Sequence, residues 1–334
     1  MTLKNILQTV LLFFLISTAV LSSEDRSTAR ARLNEPIAVK LGWEIVTVTV
    51  GNAERRLLWK RPNQWTKGAI IVMHGGSGAA VDWCYATKTG IAVIDASMQA
   101  QVSFSRDAIE KGFAVFSLDS SHDLVTDDNG ILCGKRFDAT PVDGRLNIDL
   151  PFIGKVLREV IPSKRPAASS SALFITGLST GGFMTVLAAT HFDGLVTAFA
   201  PAAACDPYGT YFDASINTGR EARGVGIDRE TGKQITEDAA CGDRDTQYLN
   251  EKKWGTMNPA GKPTFIGLHH NDDGIVDISC HHKLIQQLIA HGYKMEEDFI
   301  IPGTGRKNAF IHLWQAEYNT RILNFFLKNA AGVN

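Results

Sequence analysis

The feature that most constrains this chain is a recurring alternation of short, mostly apolar runs with longer amphipathic ones. Ala69–Met73, Ala114–Leu118, Ala172–Thr176, Val196–Phe199, Thr264–Leu268 and Glu297–Ile301 have the length and composition of buried strands. Between them Ser103–Lys111, Asp149–Val160, Gly181–Ala189 and Ser279–His291 read as helices, and Leu313–Lys328 closes the chain as another. Such alternation predicts an α/β architecture, a mainly parallel central sheet with helices on both faces. Ahead of it lies a polar leader to about Pro36. Ile37–Val39 and Glu44–Val50 then alternate in strand fashion, and Arg56–Lys60 follows across Gly51-Asn52, which predicts an antiparallel edge. The stretch from Asp206 to Lys262 breaks the pattern. It is polar yet carries Tyr208, Tyr211, Phe212, Tyr248 and Trp254, so it is expected to be an insertion over the carboxyl edge of the sheet, roofing a pocket.

With 334 residues, 44% hydrophobic and 21% charged, the chain can bury a large core. No Pro/Ser-rich linker divides it, so residues 24–334 are expected to form one domain, with 206–262 as its lid-like insertion. The formal net charge of -1, with no long Lys/Arg block, excludes nucleic acid as an expected partner. At the amino terminus Lys4 precedes an apolar run from Ile6 to Leu21, followed by Ser22, Ser23, Glu24 and Asp25. That layout is the one expected of a secretory signal peptide over residues 1–23, with a membrane anchor as the competing reading. The run falls short of the roughly 20 apolar residues a membrane span needs. The mature chain is therefore expected to be secreted or periplasmic, without stable membrane insertion. All five cysteines lie in the part expected to be exported, where one or two disulfides can form and at least one thiol stays unpaired; spacing does not choose the connectivity, and Cys84 with Cys133 and Cys205 with Cys241 are the candidate pairs.

Gly177-Leu178-Ser179-Thr180-Gly181-Gly182 stands directly between a predicted strand and a predicted helix. A strand that turns so sharply into a helix strains its central residue, and glycines two positions either side make room for the turn. Ser179 is thereby offered as a nucleophile beside a helix amino terminus, which favours developing negative charge. A serine needs a neutral imidazole to take its proton and a carboxylate to hold that imidazole. His269-His270-Asn271-Asp272-Asp273-Gly274 forms a polar turn at the carboxyl end of a late strand, where an acid belongs. Asp272 and Asp273 both qualify chemically. After the last strand a loop leads to His312, the expected general base. His74-Gly75-Gly76-Ser77-Gly78 follows an early strand, and the backbone N–H groups of Gly75 or Gly76, together with that of Thr180, are expected to meet an oxyanion. Trp83 and Trp314 are the expected substrate-lining residues. His269, His270, His281 and His282 are not expected to form a metal site, since adjacent side chains on a strand or helix point different ways.

These residues resemble the secreted α/β-hydrolase esterases of the polyhydroxybutyrate depolymerase, feruloyl esterase and acetylxylan esterase group. His74-Gly75-Gly76 is similar to that group's oxyanion loop, Ile148-Asp149-Leu150-Pro151-Phe152-Ile153 to its helix start, and Gly177 to Gly181 to its serine elbow. His269 to Val276 resembles its acid loop, His-Gly-x-x-Asp-x-x-Val, although His270 stands where that pattern has glycine. Phe310-Ile311 likewise precede His312 where glycine is common. The resemblance implies an α/β-hydrolase fold and places the catalytic acid on Asp273. It also implies cofactor-free hydrolysis of carboxylic esters, whether polyhydroxyalkanoate oligomers, plant-wall esters or aryl esters. A non-catalytic binding protein and a serine peptidase are the alternatives on the same fold. Because a histidine base must be neutral, activity is expected to fall below about pH 6.5.

Overall fold

The computed structural model describes residues 26–120, 125–126, 132–139, 144–208, 226–227, 234–235 and 247–330. Its centre is an eight-stranded sheet: β1 (Glu44–Val50), β2 (Ala53–Lys60), β3 (Ala69–Met73), β4 (Ala114–Leu118), β5 (Leu173–Leu178), β6 (Ala198–Ala202), β7 (Thr264–His270) and β8 (Lys294–Ile301). The spatial order is β1-β2-β4-β3-β5-β6-β7-β8. β1 and β2 form an antiparallel hairpin, with Val50 opposite Ala53. Gly51, at φ +57°, supplies the left-handed corner its two-residue turn requires. β2 meets β4 antiparallel, and every later pairing is parallel.

Every residue of β3, β4, β5 and β6 is buried, as parallel strands covered on both faces must be. Alternate side chains feed two cores. Ile71 and Met73 join α3 (Leu150–Lys155), α5 (Thr180–His191) and α6 (Ile278–Ala290) on one face. Ile70 and Val72 join α1 (Arg26–Lys40), α2 (Ala92–Glu110) and α7 (Ala316–Ala330) on the other. A π-helical stretch, Val156–Val160, carries α3 onward into the short α4 (Ile161–Lys164). At the head of α3, Asp149 is fully buried and paired with Arg55 of β2, while its second oxygen accepts the Asp138 amide at 2.6 Å. Burial raises the Asp149 carboxyl, opposed by the Arg55 charge.

The chain leaves β3 toward β4 on one side and returns to β5 on the other. That reversal opens a crevice at the carboxyl ends of β3 and β5, where ligands bind on open α/β sheets.

Some expectations need correction. Ile37–Val39 is not a strand, and the supposed leader is the helix α1. α2 begins eleven residues before Ser103. Cys84 is a buried free thiol donating to the Ala80 carbonyl at 3.5 Å, so it does not pair with Cys133. Cys205 is not disulfide-bonded either, which overturns its expected pairing with Cys241; Cys241 lies outside the described residues. Residues 1–23, and most of 206–262 with Tyr211 and Phe212, lie there too. Tyr208, Tyr248 and Trp254 are buried, and Tyr208 packs on Trp254 with ring centroids 4.6 Å apart. Among the described residues no helix is long and apolar enough to cross a membrane.

Candidate active site

β5 ends at Leu178 and α5 begins at Thr180, so the whole turn is made at one residue. Ser179 holds φ 55°, ψ −122°, a backbone that costs a non-glycine residue about 1–3 kcal/mol and persists only where the surroundings impose it. Here they do. The Ser179 amide donates to Ala202 at 3.0 Å and its carbonyl accepts from Phe183 at 2.8 Å. A Cβ on Gly177 would lie 2.5 Å from the Gly181 carbonyl oxygen, and one on Gly181 would lie 2.4 Å from that of Met73. The glycines let α5 start against the ends of β3 and β5. Ser179 itself stays half-buried.

The acid turn divides its two carboxylates between different tasks. Asp273 accepts the amides of Ile275 (2.8 Å) and Val276 (2.9 Å) on Oδ1 and His312 Nδ1 at 2.8 Å on Oδ2. Burial alone would raise this carboxyl. The adjacent His312 charge and hydrogen bond, with His269 and the amides, outweigh it and hold Asp273 below the usual carboxylate range. Asp272 turns the other way. It accepts the Thr304 amide and hydroxyl and the Gly305 amide (3.0 Å), and its carbonyl accepts from Asn308 at 2.9 Å. Asp272 thus ties the acid turn to the loop that delivers His312. That loop ends in a 3-10 turn, Ala309–His312, whose first free amide is capped by the Asn308 side chain. His312 is 8% exposed, and its Nε2 has no hydrogen-bond partner among the described residues.

Against Ser179 lies the loop from His74 to Gly78. A Cβ on Gly75 would stand 3.5 Å from Ser179 Cβ, in ordinary van der Waals contact, so this loop lies directly against the elbow. His74 Nε2 accepts the Ser120 amide at 3.1 Å, which leaves Nδ1–H to donate to the Gly75 carbonyl at 2.8 Å. Asp119 stands 3.6 Å from Nε2. Burial would raise the Asp119 carboxyl, but His74 beside it brings it below its ordinary value. The Ser77 amide goes to Lys135 (2.8 Å) and that of Gly78 to Gly75 (3.0 Å). Gly75 and Gly76 remain as the amides of this corner outside those bonds, and in the first turn of α5 Thr180 N–H has no intrahelical acceptor.

No family model matches the sequence, and no curated protein matches it. Among solved structures, the acylaminoacyl peptidase of Pyrococcus horikoshii superposes with a TM-score of 0.53 at 16% identity, over 90% of this chain and 44% of that one. The chain has the α/β-hydrolase fold. Est1E from Butyrivibrio proteoclasticus is also similar, with a TM-score of 0.46 at 14% identity over 86% of this chain and 99% of that one. For the Pyrococcus furiosus esterase Pf2001 the values are 0.49 and 13%, over 88% and 94%. At such identities the likeness is one of fold.

Two expected site residues lie elsewhere in the fold. Trp83 and Trp314 are 0% and 1% exposed. They pack edge to face with centroids 4.8 Å apart, flanked by Phe104 and Tyr318; they are core, with no surface to offer a substrate. His269 is fully buried beneath the acid turn, its Nε2 3.0 Å from the Val276 carbonyl, while His281 bonds Asp298 at 2.7 Å and His282 is exposed. Sequence reasoning missed Arg30, Asp82 and Asp119, which buttress the 74–78 loop. No short motif marks Arg30 or Asp119, because both act across a long separation.

Proposed function

We propose that this α/β-hydrolase is an exported serine hydrolase acting on carboxylic esters, with Ser179, His312 and Asp273 as its catalytic residues. The observation that carries the reading is the Asp273–His312 hydrogen bond of 2.8 Å in a chain whose Ser179 occupies a strained strand-to-helix corner. Asp273 holds Nδ1–H, so Nε2 is the nitrogen left to take a proton. Ser179 Oγ adds to the ester carbonyl as its proton passes to His312 Nε2. The oxyanion is met by the amides of Thr180 and of Gly75 or Gly76. Collapse expels the alcohol, which leaves with the proton from His312. Water, deprotonated by the same imidazole, then releases the acid and restores Ser179. The chain's own groups supply each proton transfer in this sequence.

The motif resemblance favours polyhydroxyalkanoate oligomers, plant-wall esters or aryl esters as substrates, and the apolar leader favours a secreted or periplasmic site of action. A fluorophosphonate probe tests the chemistry. It is expected to label Ser179 stoichiometrically and to fail on Ser179→Ala. A folded wild-type protein that takes no label would instead be a binding protein on this fold. p-Nitrophenyl acyl esters run beside an acylated peptide anilide separate esterase from peptidase.

A further inference from the structure

We infer that α1 is a working part of the active site, and that Arg30 is the positioning residue by which it holds the oxyanion loop. The inference rests on the esterase reading above. Ser77 is one of four non-glycine residues with positive φ among the described residues, at φ 60°, so the loop keeps its shape only if neighbours impose it. Two elements do so. The Ser77 amide donates to Lys135 at 2.8 Å, and Gly134 presses so closely that a Cβ there would lie 2.6 Å from Ser77 Cα. The Ser77 carbonyl in turn accepts from Arg30 Nη2. The peptides before and after Ser77 are both fixed in this way, next to the Gly75 and Gly76 amides that would face the oxyanion.

The same guanidinium reaches Asp82, with Nε and Nη2 each 3.3 Å from a carboxylate oxygen. Asp82 is 5% exposed in its side chain and closes the loop's far end by accepting the Ala79 amide at 2.8 Å. A buried carboxylate needs a cation or donors, and Arg30 provides both the charge and a fork rigid enough to hold a carbonyl and a carboxylate at once. One side chain thereby spans the loop from Ser77 to Asp82. α1 does not depend on Arg30 for its own docking. Asn34 accepts the Thr87 hydroxyl at 2.6 Å, Glu35 pairs with Arg56 at 2.7 Å, and Ala38 is fully buried.

The test compares Arg30→Ala, Arg30→Lys and Asn34→Ala with wild type, reading kcat and KM on a p-nitrophenyl ester and Ki for an aryl trifluoromethyl ketone. That inhibitor adds Ser179 Oγ to its carbonyl and presents the resulting oxyanion to the loop. Arg30→Ala is expected to lower kcat by about 10- to 100-fold, the scale of a small misplacement of catalytic groups, with KM nearly unchanged and Ki weakened by the same factor. Millimolar guanidinium should restore part of both. Arg30→Lys, which keeps the charge but not the fork, should fall between, and it serves as the test if Arg30→Ala does not fold. Asn34→Ala should lower thermal stability and leave kcat and Ki as they are. Unchanged kcat and Ki in the folded Arg30 variants would overturn the inference, as would an equal loss of kcat in Asn34→Ala. A wild-type protein that neither hydrolyses esters nor takes the fluorophosphonate would instead defeat the esterase reading.

Discussion

Two neighbouring aspartates show how far side-chain identity leaves a role open. Asp272 and Asp273 are chemically the same and both are buried, yet one faces His312 and the other the 304–305 amides. Removing the charge of Asp273 alone should destroy the orientation of His312. Asp273→Asn is expected to lower kcat by about 10³- to 10⁴-fold with the fold intact. Asp272→Asn should cost far less, about 10-fold or under, since it loosens the loop without touching the imidazole. Steady-state kinetics on the two purified variants, with circular dichroism to establish folding, checks the ranking; equal losses would contradict the division of labour. Of the residues proposed for the chemistry, His312 was reached only through chain order, eleven residues after β8, whereas Ser179 and Asp273 were conspicuous in short motifs at strand ends. Arg30 was not: its partner Asp82 lies 52 residues away, and no local pattern announces an arginine that acts at such a distance.

At the scale of elements, legibility followed the strength of the apolar signal. β3 and β4 begin and end where the predicted apolar runs do. β5 runs two residues past Thr176, because Gly177 and Leu178 continue the parallel ladder beside Pro201 and Ala202. α1 was misread for a physical reason. The residues it buries are Ser27, Ala31, Asn34 and Ala38, which have the three- and four-residue spacing of a helix face but are small or polar. A helix that docks through small side chains and hydrogen bonds leaves little hydrophobic periodicity to find, and Pro36 within it reads as a stop. The tight element junction at the elbow leads to a prediction of its own. Gly181→Ala places a methyl against the backbone oxygens of Met73 and His74, at 2.4 and 2.5 Å, and backbone cannot swing aside as a side chain would. Thermal or urea unfolding should show a loss of about 1–3 kcal/mol, the usual range for overpacking, with fluorophosphonate labelling slowed as the elbow shifts. Wild-type stability in this variant would mean that β3 and α5 are less closely apposed.

For the molecule as a whole, the two cores leave a buried imidazole between sheet and helix whose titration links stability to pH. His269 donates Nε2–H to Val276, and its Nδ1 has no partner among the described residues. Its ring lies 4.8 Å from that of His281, with Asp273 Oδ2 3.7 Å from Nε2. Burial, reinforced by His281 and opposed by Asp273, pushes the His269 pKa down to about 3. In the unfolded chain the same imidazole titrates near 6.5. Between those values the unfolded state binds a proton that the folded state refuses, so stability falls as pH drops below about 6.5 and is insensitive to this group above it. One such site contributes a slope of about 1.4 kcal/mol per pH unit. His191, pushed down to about 4 by burial and by Lys252 and Arg158, acts in the same direction. The depressed Asp273 also destabilises on acidification, but only below the ordinary carboxylate range. Between pH 6.5 and 4.5 Glu251, pushed up to about 8 by burial, holds a proton only in the folded state and opposes the two histidines, so the contribution of His269 is read as the difference between wild type and variant. Urea unfolding across that window should show stability declining with acid in the wild type. His269→Gln, whose amide can still donate toward Val276, should show a slope shallower by about one proton. If the slope does not change, the proton taken up on unfolding belongs to another residue, and His269 is not what couples this fold to pH.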